Sequence, residues 1–212
     1  MQLQLPDPSK YNDPIRYFRD SHKVIGIAIA EMDALIAEAE KSGMTKYFQD
    51  HPDEAKEMIQ FFTHVAPMHE MDEEKNLFPV LREKLGPIGF QIPNTTPAFL
   101  IKEHEEMNHR ARIVAKAWHE FEKSGETSLE SETLALNSAK ELVHLYKGHV
   151  AEEDELIYKV ANDNLLTPEE RISIMNGVIE SHSEQIIMPT LDFDTPMYST
   201  PDLQPSEKEE EE

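Results

Sequence analysis

Residues 69–78 read HEMDEEKNLF, and residues 149–158 read HVAEEDELIY. The two stretches share the pattern His-x-x-x-Glu-acidic-x-x-aliphatic-aromatic, and the second begins 80 residues after the first. Side chains four positions apart lie on one face of an α-helix, one turn from each other, so the histidine and glutamate of each stretch can reach the same point. These pairs are His69 with Glu73 and His149 with Glu153. The repeat predicts two helices that each direct both ligand types into the core.

A further histidine precedes each stretch. His22 lies 47 residues before His69, and His104 lies 45 residues before His149. Apolar residues recur around both in steps of three and four, which indicates amphipathic helices with the histidine on the buried stripe. Each half of the chain is therefore predicted to be a helical hairpin. In antiparallel hairpins all six side chains can meet at one level.

Cap and turn signals divide the chain into five helices. Asp13 and Pro14 suit the N-cap and first position of the first helix, and Gly43 suits its end. Pro67 lies inside the second helix and should kink or break it. The helices predicted from these signals cover about residues 14–42, 52–86, 97–124, 128–163 and 167–187.

Four long helices joined by short loops predict an all-α fold, an antiparallel up-down four-helix bundle with an additional C-terminal helix. We expect an N-terminal arm over residues 1–13, the helical domain over 14–190, and an extended acidic tail over 191–212. The last seven residues, SEKEEEE, contain no apolar side chain to bury, so the tail is expected to be disordered.

Composition excludes several classes of protein. The formal net charge is -22, which disfavours nucleic acid as a partner because the phosphate backbone would be repelled. The absence of cysteine excludes thiolate zinc sites, iron–sulfur clusters and cysteine nucleophiles. There is no secretory signal and no apolar run of membrane-spanning length, so we expect a cytoplasmic protein without a membrane partner.

Buried imidazoles and carboxylates need a partner, because an unpaired buried carboxylate is energetically costly. A metal ion removes that cost, and the mixed donor set suits iron or manganese, with zinc as a possible substitute. The twofold repeat favours two metals. One would be held by His22 and His69, the other by His104 and His149, with Glu73 and Glu153 as bridges.

The ordered set of residues resembles the hemerythrin-like family, also called HHE cation-binding domains, over about residues 14–162. The resemblance rests on His22, the run from His69 to Pro79, His104-Glu105, and His149 with Glu153. It implies a four-helix bundle around two non-haem iron ions joined by an oxo or hydroxo bridge. It further implies that this centre binds oxygen, nitric oxide or peroxide.

The chain departs from oxygen-carrying hemerythrins at two places. The carriers have a second histidine four residues after the first on the third helix, where this chain has Asn108, and His109 is one step too far round. They also have an aspartate at i+5, where this chain has Glu153 at i+4. The ligand set is more similar to relatives linked to iron-centre repair, nitric oxide handling or iron sensing. One fewer histidine leaves a coordination position open, which favours reactivity over carriage.

Three residues are weaker candidates for the ligand pocket or for support of the metal ligands: Asn108, Tyr146 and His109. Tyr146 could donate a hydrogen bond to a bound ligand, and His109 is an alternative metal ligand. The other acidic residues near the motifs are interpreted as solvated faces, one or two of which accept from a histidine N–H. They are Glu70, Asp72, Glu74, Glu105, Glu106, Glu152 and Asp154.

Three hypotheses on function follow. The first is a di-iron protein that binds or reacts with a small diatomic molecule or peroxide, in redox response, nitrosative defence or iron-centre repair. The second is an iron sensor or store without turnover, and the third is a helical scaffold without metal. The sequence leaves enzymatic activity, oligomeric state and any protein partner open.

Overall fold

The structure is a computed structural model that describes residues 3–89 and 97–184. Most of the Pro/Gly-rich connection before the third long helix, residues 90–96, lies outside the described residues, and so does the predicted tail over 191–212. In the described ranges every regular element is a helix and none is a strand, so the predicted all-α fold is confirmed. No helix in this part of the chain is long and apolar enough to cross a membrane.

Helix α1 (Pro14–Ser42) begins and ends at its predicted signals. The Asp13 side chain accepts a hydrogen bond from the Ile15 N–H at 3.1 Å. The helix ends at Gly43, whose φ of 90° favours glycine. The short helix α2 (Met44–Asp50) follows at once, and no predicted helix covers it because seven residues are too few to show a helical period.

Helix α3 spans residues 52–89 and alternates between α-helical and π-helical turns. The α-helical parts are Pro52–Gln60, Ala66–Asp72 and Phe78–Gly89, and the π-helical parts are Phe61–Val65 and Glu73–Leu77. Pro67 does not break the helix. The wider π-helical turn lies just before it, where a proline ring would clash with the carbonyl of an ordinary helical turn. The helical conformation is interrupted at Gly86, whose φ is 56°.

The remaining helices follow the predicted pattern closely. Helix α4 covers Pro97–Ser124, and helix α5 covers residues 129–165 with π-helical turns at Glu153–Ile157 and Ala161–Leu165. Helix α6 (Pro168–Glu184) begins at a capping box, in which the Thr167 N–H donates to the Glu170 side chain at 2.7 Å and the Glu170 N–H donates back at 3.2 Å. The predicted end of this helix, at Ile187, lies outside the described residues.

Two apolar clusters fill the interior, and the predicted metal ligands lie between them. On α1, His22 is preceded by Phe18 of the smaller cluster and followed by Ile25 of the larger one. The order is the same on α4, whereas on α3 and α5 the larger cluster precedes the predicted ligands and the smaller cluster follows them. The larger cluster includes Phe48, Phe62, Trp118 and Leu142. The smaller includes Leu77, Phe78, Tyr158 and, from α6, Ile174, Met175 and Val178. The fold therefore places a layer of polar side chains between two apolar ones.

Candidate metal centre

The structure brings together all six predicted ligands. They form two overlapping groups in which the ligand atoms lie within 4.8 Å of one another. The first group is His22, His69, Glu73 and Glu153, and the second is Glu73, His104, His149 and Glu153. Each of the six side chains is at most 4% exposed. The two glutamates belong to both groups, and each group adds two histidines of its own.

In the second group the two imidazoles face each other. His104 Nε2 and His149 Nε2 lie 2.9 Å apart. Two nitrogens at right angles around one ion, with metal–nitrogen bonds of about 2.1 Å, would be separated by about 3 Å. The other nitrogen of each ring is bonded to a carboxylate: His104 Nδ1 to Glu74 at 2.7 Å and His149 Nδ1 to Glu103 at 2.9 Å. Such outer hydrogen bonds fix the tautomer that leaves Nε2 free for a metal.

The first group is held less firmly. His22 Nε2 lies 3.2 Å from Glu153 Oε2, and His22 Nδ1 lies 3.3 Å from Asp154 Oδ1. Neither ring nitrogen of His69 has a hydrogen-bond partner in residues 3–89 and 97–184, although the residue is only 2% exposed. Its ring packs edge-on against the rings of His22 and Phe18, at centroid distances of 4.8 Å and 5.7 Å.

The two glutamates reach both groups. Glu153 Oε2 lies 3.2 Å from Nε2 of both His22 and His149. Glu73 Oε1 lies 3.7 Å from His69 Nε2, while Glu73 Oε2 lies 3.7 Å from His104 Nε2. Glu73 therefore places one oxygen near a histidine of each group.

The repeat in sequence is also a repeat in backbone geometry. A π-helical turn starts at Glu73 and another starts at Glu153, so both glutamates of the His-x-x-x-Glu pattern occupy the same local conformation. Single π-helical turns are rare and occur frequently at functional sites. Sequence periodicity could not reveal them, because one inserted residue per turn hardly alters an apolar pattern.

Burial and neighbouring charges oppose one another in the site. Burial lowers the pKa of His69 well below its usual value, and His22 beside it acts in the same direction. Burial also raises the pKa of Glu73, helped by the adjacent Glu153 carboxylate. Burial would also raise the pKa of Glu153, yet the contacts with His149 and His22 hold that pKa well below the ordinary range. No choice of protonation states satisfies all six buried groups at once.

Unpartnered atoms test whether a metal fits. Buried atoms without a hydrogen-bond partner include both ring nitrogens of His69, both oxygens of Glu153 and Glu73 Oε2. Orphaned buried donors and acceptors are rare because each costs about 1–3 kcal/mol. These atoms are nitrogen and carboxylate donors that face one another, which is the environment a cation of the iron or manganese type requires. The residues present therefore fit a metal.

The weaker candidates separate into two that lie beside the site and one that does not. Asn108 and Tyr146 are buried, and both donate to the carboxylate of Glu70, at 2.7 Å and 2.6 Å. His109 is exposed and belongs to neither ligand group, because it is one residue further round α4 than the buried stripe. His109 is therefore not placed to act as an alternative metal ligand.

The interpretation of Glu70 and Asp72 as solvated residues is wrong. Glu70 is 3% exposed, and Asp72 is fully buried. The spacing contained a signal for Glu70, since it precedes Glu73 by three residues and so shares its helix face. Glu74 and Asp154 contact ligand histidines, as expected for one or two of the set, but Glu103 was not among the candidates.

Asp72 connects the ligand helix to α6. Its Oδ2 accepts from His182 Nε2 at 2.7 Å and from the Tyr17 hydroxyl at 3.2 Å. A Cβ added to Gly177 of α6 would lie 2.0 Å from the Asn76 side chain, so the two helices approach closely beside the π-helical turn. His182 thus holds helix α6 against α3.

The fold and the site define an all-helical protein with buried histidine–glutamate groups that could hold metal cations. Residues 13–161 match the model of the Hemerythrin HHE cation binding domain, and the chain belongs to this family. No curated protein and no solved structure matches the chain. Helix α6 lies beyond the matched residues.

Proposed function

We propose that this chain is a four-helix bundle with a non-haem di-iron centre that binds or reacts with oxygen, nitric oxide or peroxide. The observation that carries the proposal is the pair of ligand groups that share two carboxylates. Two histidines per ion and two shared glutamates give a site for two cations, whereas a single structural ion would need one group only.

The roles of the residues follow from their contacts. His22 and His69 would hold one ion, His104 and His149 the other. Glu73 and Glu153 would lie between them. When bound, the iron pair supplies redox chemistry and open coordination positions. The chain itself keeps the site dry, since all six side chains are buried, and orients the second pair of imidazoles through Glu74 and Glu103.

The surroundings differ on the two sides of the ligand layer. On one side aromatic rings cover the histidines: Tyr158 stacks on His22 at 5.0 Å and Phe78 on His104 at 6.2 Å. The Tyr158 hydroxyl also donates to Glu73, which fixes that carboxylate. On the other side lie Glu70, Asn108 and Tyr146. Because aromatic rings cover the histidines on one side, we expect a small ligand to bind on the side of Glu70, Asn108 and Tyr146.

The test is to produce the full chain with iron, measure iron per chain, and record the absorption spectrum before and after reduction and addition of nitric oxide or peroxide. We expect two iron ions and near-ultraviolet bands that respond to the additions. Manganese or zinc should compete for the site. Iron bound without any spectral response would contradict a reactive centre, and absence of bound metal would contradict the proposal as a whole.

An iron sensor or store is the second candidate, and one observation favours it. Helix α6 is bonded to the ligand helix through Asp72, next to the ligand Glu73, so occupation of the site can alter how this helix is held. Amide hydrogen exchange distinguishes the two functions. A sensor would lose protection across residues 168–184 when iron is removed, whereas a reactive centre would lose its spectrum and keep α6 in place.

A further inference from the structure

Glu70, Asn108 and Tyr146 form a second polar layer beside the ligand layer, which we call the Glu70 layer. Glu70 precedes Glu73 by three residues, Tyr146 precedes His149 by three, and Asn108 follows His104 by four. At 1.5 Å per residue these offsets correspond to about 4.5–6 Å along the helices. The hydrogen bonds from Asn108 and Tyr146 to Glu70 show that all three offsets point to the same side.

The Glu70 layer is close enough to the ligands to interact with them electrostatically. Burial raises the pKa of Glu70, while His104 and His149 act to lower it. Glu70 in turn contributes to the raised pKa of Glu73. If the ligand groups hold metal, a small molecule bound on this side of them would face the Glu70 layer.

In the Glu70 layer most hydrogen-bond donors are already used, whereas several acceptors are free. A carboxylate offers about four acceptor positions, and among the described residues Glu70 accepts hydrogen bonds from Tyr146 and Asn108 alone. Asn108 Oδ1 is buried and has no hydrogen-bond partner. The Tyr146 hydroxyl hydrogen is already committed to Glu70, so the one donor left is the second N–H of Asn108. The layer therefore presents more free acceptors than free donors.

We propose that the Glu70 layer is the wall of the pocket into which an exogenous ligand extends, and that it selects ligands that bear hydrogen. Hydrogen peroxide and water can donate to the free acceptors. Oxygen and nitric oxide cannot, and they would leave these acceptors unpaired. Sites built to hydrogen-bond a ligand reject analogues without the matching group. This inference rests on the proposed function and narrows its ligand class to hydrogen peroxide.

Hydrogen peroxide and nitric oxide are suitable probes because both are neutral and contain two heavy atoms, but only peroxide bears hydrogen. The test uses the full-length ferrous protein. It measures the second-order rate constant for oxidation by hydrogen peroxide and, separately, the equilibrium dissociation constant for nitric oxide. The variants are Glu70→Leu and Asn108→Leu, and the control is Glu83→Gln, which changes an exposed carboxylate on the same helix.

We expect Glu70→Leu to lower the peroxide rate constant at least about tenfold, the loss that follows from one hydrogen bond of about 1.4 kcal/mol. The nitric oxide dissociation constant should stay within about threefold or fall, since leucine removes the free acceptors of Glu70 and releases the donors of Asn108 and Tyr146. Asn108→Leu should shift the two quantities in the same directions by less. Equal changes for both probes, or none, would overturn the inference.

Iron content and melting temperature are measured on every variant. If Glu70→Leu does not fold, Glu70→Gln replaces it, because the amide keeps the shape and converts one acceptor into a donor. A wild-type chain that holds no iron contradicts the proposed function itself. A wild-type chain that holds iron and shows the same probe preference as Glu70→Leu contradicts only the role of the Glu70 layer.

Discussion

His104 and His149, in the second half of the centre, are each oriented from behind by a carboxylate, Glu74 or Glu103. In the first half neither nitrogen of His69 has a hydrogen-bond partner among the described residues. His22 Nδ1 has only a close contact with Asp154, although its Nε2 lies 3.2 Å from the Tyr158 hydroxyl and from Glu153. Glu74 and Asp154 occupy the same position of the repeated pattern, yet only Glu74 makes a hydrogen bond to a histidine, and Glu103 lies outside the repeat. We infer from this difference that the orientation of His104 and His149 is fixed without a metal. The orientation of His22 and His69 is fixed only when a metal binds.

Loss of a shared glutamate should erase the difference between the halves. Because Glu153 contacts His22 and His149 alike, Glu153→Leu should abolish binding of both ions rather than one. Metal analysis after gel filtration measures this directly. Glu155→Leu, an exposed glutamate two residues along, is the control and should keep both ions. A Glu153→Leu protein that retains one ion would show that the halves are independent.

Removing one histidine from each half should have unequal effects on the free energy of unfolding of the metal-free protein. His149→Leu leaves Glu103 without its partner and leaves the buried Glu153 with His22 as its remaining histidine contact, so it should lower the free energy of unfolding by about 3 kcal/mol. His69→Leu removes two unpaired buried nitrogens, and it should change that free energy by about 1 kcal/mol at most, or raise it.

Urea unfolding in the presence of a chelator measures both variants against wild type. Circular dichroism before the titration confirms that the starting states are equally helical. Similar losses for both histidines would contradict the view that only the second half is ordered without metal. Two neutral substitutions, with no metal bound by wild type, would instead favour the metal-free scaffold.

The outer carboxylates should tune metal affinity in the second half. Glu103→Gln keeps the hydrogen bond to His149 Nδ1 but removes its charge, and we expect metal affinity to fall about tenfold to a hundredfold. Competition with a chromophoric chelator measures the dissociation constants. Glu105→Gln, on the exposed face of the same helix, should have no effect. A loss of metal affinity confined to one of two binding steps would support the difference between the two halves. An equal loss in both steps would contradict it.

Much of the fold was predictable from residues that determine the local backbone conformation. Pro14, Gly43 and the Thr167 capping box fix helix ends by chain geometry alone, and the ligand spacing at i and i+4 requires no tertiary information. The burial of Glu70 and Asp72 was not predictable in the same way. An acidic residue on a helix is solvated in most contexts, and its burial depends on partners such as Tyr146 and His182, which lie 76 and 110 residues away.

Helix α6 is bonded to α1 and α3, the two helices that carry His22 and His69. These histidines have weaker outer support than His104 and His149. Asp72, beside Glu73, is bonded by His182 of α6 and by Tyr17 of α1. His182→Ala removes one of these donors and leaves the buried carboxylate with the weaker one, at 3.2 Å. We expect a loss of about 1–2 kcal/mol in the free energy of unfolding and faster amide exchange across α6, by about tenfold.

Hydrogen exchange on the metal-loaded and metal-free protein checks this prediction, with Glu180→Gln on the exposed face of α6 as the control. If α6 supports the first half, His182→Ala should also weaken metal binding there, because binding of the metal and docking of the helix stabilise each other by the same free energy. Faster exchange in α6 without any change in metal affinity would show that the helix covers the bundle end and contributes nothing to the centre.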